Sequence, residues 1–139
     1  MSLTSATSSP IHVGQVLAGK YRVESLLGDG GMGVVVGAVN VLLDQPVAIK
    51  LLNAAAGSDP GIVARFLREG RAAARLRSEH IARVLDCGTF EDGRPYLVTE
   101  RLVGVDLQRL IEAKEYLPVE EAVDFVMQAC EGLAEAHAA

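Results

Sequence analysis

The chain has 139 residues, half of them hydrophobic, and a net charge of -5. That is enough apolar material for one domain of ordinary size, and the acidic balance argues against nucleic acid as a partner. Cys87 and Cys130 fit neither a disulfide framework nor a zinc spacing, and they read as buried thiols of a reducing cytoplasm. The opening MSLTSATSSP has neither a basic start nor an apolar centre, so no signal peptide is read. The longest apolar-leaning run, Val34 to Leu43, is broken by Gly37 and Asn40 and is too short to span a bilayer.

Residues 1–19 read as a mostly disordered leader, with Ser and Thr concentrated before Pro10. YRVESLL and GVVVGAV then predict two strands joined by a glycine stretch, and VAIKLL predicts a third after the turn at Asp44 and Pro46. SDPGIVARFLREGRAAARLRS predicts a helix, with Ser58 or Asp59 as its cap and Pro60 in its first turn. HIARVLDCGTF and PYLVTERL predict a hairpin about Asp92-Gly93. After Gly104 the pattern turns helical, in DLQRLIEAKEY and again from Pro118 onward, where Glu120 and Glu121 occupy the first turn. The expected class is α+β, a five-stranded antiparallel sheet with one packed helix, followed by two further helices.

Four glycines, Gly28, Gly30, Gly31 and Gly33, fall within six residues. Gly28-x-Gly30-x-x-Gly33 would suit a dinucleotide only if it opened a helix. Here Val34, Val35 and Val36 follow, which are strand formers. A Walker loop is excluded because Val34, not Lys, follows Gly33. What remains is a glycine hairpin between two strands, either a lid over phosphates or a flexible turn without a ligand. Strand alternation puts Ala48, Lys50 and Leu52 on one face, so Lys50 is expected to need an anionic partner. Ile62, Phe66, Glu69, Ala73 and Leu76 form a helical stripe that would turn Glu69 inward to pair with Lys50. The plainer alternative is a surface Glu69 paired with arginines on its own helix. The six arginines from Arg65 to Arg83 read as a solvated face.

Taken in order, Gly28-x-Gly30-x-x-Gly33-x-Val35, VAIK and a helical Glu69 resemble the N-terminal lobe of protein kinases. GDGGMG and RFLREGRAAARL resemble the bacterial serine/threonine kinases of eukaryotic type. The resemblance runs from about Tyr21 to Ala139 and divides the chain into an N-lobe with hinge at 20–103 and the first helices of a C-lobe at 104–139. It implies ATP as ligand, with the segment Gly28, Asp29, Gly30, Gly31, Met32, Gly33 and Val34 over the phosphates. Leu27, Val35 and Ala48 would enclose the adenine, and Lys50, paired with Glu69, would hold the α- and β-phosphates. Thr99 takes the gatekeeper position. Glu100 and Leu102 would offer backbone groups to the adenine edge, and Asp106, which also reads as a helix cap, would reach the ribose. Val36 and Arg101 stand where aromatics are common in the family, and Gly70 loosens the helix beside Glu69.

No His-Arg-Asp and no Asp-Phe-Gly occurs in the sequence. The resemblance therefore implies that the parent enzyme transfers phosphate to Ser or Thr of protein substrates with magnesium. This chain alone, lacking the base and the metal ligands, is expected to be inactive. The alternative is a natural short pseudokinase acting as an interaction module. The stripe Ala122, Val126, Ala129 and Leu133, which the rest of a kinase C-lobe would cover, is on either reading expected to be an exposed patch, with self-association or poor stability as the result. The expected compartment is the cytoplasm.

Overall fold

The computed structural model describes residues 11–139. Six strands and four helices follow one another: β1 (Val16–Leu17), β2 (Tyr21–Asp29), β3 (Gly33–Asn40), β4 (Gln45–Leu52), α1 (Ala54–Gly57), α2 (Pro60–Ala74), β5 (Val84–Thr89), β6 (Pro95–Glu100), α3 (Leu107–Lys114) and α4 (Val119–Ala138). One antiparallel sheet takes the order β1-β2-β3-β4-β6-β5. The five predicted strands are all present. The sixth, β1, is a two-residue addition from the expected leader. Gly14 donates its backbone N–H to the Val23 carbonyl at 2.8 Å, and Leu17 is buried in the core. Residues 11–19 are therefore held against the sheet, with Val16–Leu17 as its first strand, and the first ten of that leader lie outside the described residues.

Alternation explains which face of the sheet is filled. Val36 and Ala38 of β3, Val47, Ile49 and Leu51 of β4, and Tyr96 and Val98 of β6 point to one side and make the main core with Tyr21 and Val23. β2 and β5 sit far apart in the sheet order, yet Tyr21 Oη donates to Asp86 at 2.7 Å. The sheet is thus strongly curled about this core, as its twist favours. Lys20 joins the same carboxylate at 2.9 Å. Burial pushes Asp86 up, but the hydrogen bonds from Tyr21 and Lys20 outweigh it and hold the carboxyl below its ordinary value. Burial first, then Asp86, push the Tyr21 phenol up.

The opposite face is covered by α2. Asp59 caps it, its Oδ1 accepting from the N–H groups of Gly61 and Ile62 at 2.8 and 3.3 Å, and Pro60 opens the first turn. Phe66 is buried against Leu52 and Ala56. Gly70 lets the helix lie directly on β6, because a side chain there would press on Leu97 Cδ1 at 3.0 Å. Gly70 is therefore a packing residue and α2 runs unbroken through it.

Asp106 caps α3 by accepting from Arg109 N–H at 2.8 Å. Within α3 no residue is buried, and within α4 only Gly132 is. Both cysteines are exposed, contrary to the sequence expectation. Cys87 shares the outward alternate positions of β5 with Leu85 and Thr89, and Cys130 lies on the uncovered side of α4. Val126 and Leu133 of the expected apolar stripe are exposed. Among the described residues no helix is long and apolar enough to cross a membrane.

Candidate functional site

The β2–β3 hairpin and α2 enclose a cavity of about 460 Å³. Its walls take in the whole predicted phosphate-covering segment, Gly28, Asp29, Gly30, Gly31, Met32, Gly33 and Val34, together with Val35, Lys50 and Glu69. The sheet register makes this possible. Val35 pairs with Gly28 on one side and with Lys50 on the other, so the three form one row across the sheet and line the same cavity.

The glycines differ in what they owe to the protein itself. At Gly33 a Cβ would collide with the Leu51 carbonyl, so β4 itself excludes a side chain there. Around Gly28 and Gly31 the same construction meets nothing within 4 Å, and at Gly30 only the Gly33 carbonyl at 4.0 Å. None of these three has the positive φ that reserves a position for glycine. Neither packing nor backbone conformation requires glycine at these three positions. They leave bare backbone on the cavity wall, where a ligand can approach it closely.

The predicted Lys50–Glu69 ion pair is not formed. Glu69 Oε1 instead accepts from Arg65 Nε at 2.9 Å, one turn back on α2. The Arg65 hydrogen bond is the main cause of a Glu69 carboxyl held below its ordinary value, with Lys50 a smaller contribution through space. Glu69 is also not inward: its side chain is 60% exposed. The buried side of α2 runs through Ile62, Phe66, Gly70 and Ala73 to Leu76 just past its end, so the predicted stripe holds except at Glu69, whose place Gly70 takes. Lys50 is on the predicted face of β4 but is open to the cavity, with Nζ 5.9 Å from the centre of the Phe66 ring. Lys50 and Glu69 thus face the same space from opposite walls, and Arg65 is the partner already in reach.

The remaining predicted contacts fall outside this cavity. Ala48 and Thr99 are cross-strand neighbours in one row with Gly37, on the same sheet face as the row Val35, Lys50 and Leu97 but two residues further along the strands. Leu27 sits in the irregularity between the pairs Leu26–Val36 and Gly28–Val35. Glu100 and Leu102 line a separate hollow with His80 and Phe125, and Asp106 is occupied as a helix cap. Sequence reading missed Leu52, Ile62, Arg65 and Phe66 as cavity walls. It also missed Asn53, which caps α1 and binds the hairpin. For Asn53 the signal was present, since Asn before Ala-Ala-Ala is a helix start.

A curled antiparallel sheet, a glycine hairpin over a strand lysine, and one helix crossing behind them define the protein kinase class. The protein kinase domain family matches residues 21–139, and the chain belongs to that family. It is similar to serine/threonine-protein kinase pkn3 of Myxococcus xanthus, 41% identical over 128 residues that cover 92% of this chain and 23% of that protein. Serine/threonine-protein kinase PknA of Mycobacterium tuberculosis is 38% identical over 131 residues, covering 91% of this chain and 30% of that protein. Among solved structures, the Mycobacterium tuberculosis PknI kinase domain superposes with a TM-score of 0.77 at 30% identity, over 92% of this chain and 52% of that one. The chain therefore spans under a third of these curated relatives and about half of the solved kinase domain.

Proposed function

We propose that these residues form the ATP-covering part of a serine/threonine protein kinase that works in the cytoplasm, the compartment that holds ATP. The observation that carries this reading is the wall of Gly28, Gly30 and Gly31. Their backbone is bare toward open space and faces a cavity that contains the Lys50 ammonium. Backbone N–H groups and a cation are the groups that hold phosphate oxygens in this family. Lys50 would take the α- and β-phosphates, with Glu69 as its orienting partner once that carboxylate leaves Arg65. Val35, Ala48 and Thr99 share one sheet face, so a base stacked beside Lys50 would rest on that face. Leu27 would close it from the hairpin, Glu100 and Leu102 would meet its edge, and Asp106 would reach the ribose.

Transfer of the γ-phosphate to Ser or Thr of a protein substrate needs a base and magnesium. Among the described residues no group of three or more His, Cys, Asp or Glu converges to hold a metal ion. The described residues therefore do not fit a magnesium site. On this reading the 139 residues alone bind nucleotide without transferring phosphate. A fluorescent ATP analogue titrated against the wild-type chain and Lys50→Ala tests it. Binding by the wild type is expected, weakened at least about tenfold in the variant by loss of a charge-assisted contact. No binding by the wild type would overturn nucleotide binding, and equal binding would overturn the role of Lys50.

A further inference from the structure

The residue between β4 and α1 makes four hydrogen bonds in two directions. Toward the hairpin, Asn53 donates its backbone N–H to the Met32 carbonyl at 2.9 Å, and its Nδ2 to the Gly31 carbonyl at 2.9 Å. Toward the helix, its Oδ1 accepts from Ala56 N–H at 2.8 Å and its carbonyl from Gly57 N–H at 2.8 Å. Ladder pairing between β3 and β4 stops at Gly33–Leu52, so the two bonds from Asn53 carry the attachment beyond the sheet to the loop tip. On its other side Asn53 is held to α1, whose Ala56 is packed against Phe66 of α2. The tip is thereby joined through one residue to the elements that form the far wall of the cavity.

We infer that Asn53 is the positioning residue of the glycine hairpin: its side-chain amide at Gly31, added to its backbone N–H at Met32, holds the tip at the cavity in the conformation that receives phosphates. The inference rests on the nucleotide reading above and adds a residue that no phosphate need touch. A loop with its glycines in open space has many conformations available. Fixing it before the ligand arrives removes an ordering cost from binding. The two carbonyls are directed at Asn53, which leaves them turned away from an anion.

Asn53→Ser separates this role from helix capping, because serine caps a helix well but lacks the amide donor that reaches Gly31. Asn53→Ala removes both. Hydrogen exchange at the Gly30–Gly33 amides of the full chain, without nucleotide, should quicken about fivefold in Asn53→Ser, as expected for one hydrogen bond. The fluorescent ATP analogue should bind about threefold to fivefold more weakly, with the thermal midpoint kept near that of the wild type. Asn53→Ala should show the same loosening together with a lower midpoint. Unchanged exchange in Asn53→Ser overturns the attachment, and faster exchange with unchanged affinity overturns the positioning role. A wild type that binds no nucleotide overturns the nucleotide reading instead, and the exchange comparison then still decides whether Asn53 holds the tip.

Discussion

The sheet and its crossing helix contrast with the last two helices in how they are held. Every buried hydrophobic residue among those described lies between Leu17 and Val98. The helices α3 and α4 contribute Gly132 alone to the buried set. What secures α4 is mostly polar. Glu135 accepts from the backbone N–H groups of Arg77 and of Ser78, the latter at 2.6 Å, and Glu131 meets His80 at 2.8 Å. Gly132 sits against Ile81, where a Cβ would come within 3.0 Å of Cγ1. Apolar burial of the first kind specifies a fold by itself. Attachment of the second kind fixes the place of a helix without providing it with a core.

Three changes test that contrast, from large to small. Ile49 is fully buried, and Ile49→Ala should cost about 3 kcal/mol in chemical denaturation, with sheet and helices lost together. Glu135→Gln should cost only about 1 kcal/mol. It should appear as faster hydrogen exchange along α4, with exchange in β3 and β4 unchanged; equal loosening of both would refute the contrast. Asp86→Asn touches the sheet half at its curl. The Asp86 carboxyl is held below its ordinary value of 3.8, so its contribution is complete above that pH and is lost as pH falls through the lower folded value. For a partly exposed carboxylate the amount is roughly 0.5 kcal/mol. The acid limb of a stability profile should flatten by that much in the variant while α4 exchange at neutral pH stays the same.

The contrast also marks how far the sequence could be read. Strands and caps were legible because they depend on local chemistry: β-branched alternation in VAIKLL, Asp59 before Pro60, Asp106 before α3. The kinase resemblance was legible because three motifs occur in order, and the family match over residues 21–139 agrees with it. Burial was less legible. Hydrophobic periodicity treats Gly70 as a blank, yet its missing side chain is what brings α2 onto Leu97. The inward face was therefore right at Ile62, Phe66, Ala73 and Leu76 and wrong at one place, where it took Glu69 instead of Gly70. The pairing of Glu69 was likewise underdetermined, because Arg65 at i,i-4 competes locally with a lysine from another element. β1 escaped notice because two residues carry no periodicity, and α1 because four alanine and glycine residues lack an apolar face.

One bare position on β3 receives a side chain from beyond the sheet. At Gly37 a Cβ would overlap the Arg101 guanidinium and lie 2.9 Å from its Cζ. Arg101 is the first residue after β6, where the chain leaves the sheet for α3. Gly37 is thus a socket and Arg101 the key seated in it. The first residue beyond β6 thereby touches a strand two places across the sheet, because β4 lies between β3 and β6. A larger residue at Gly37 would push the guanidinium end of Arg101 out of that socket and press on Ser25 Oγ, 2.7 Å from the added carbon.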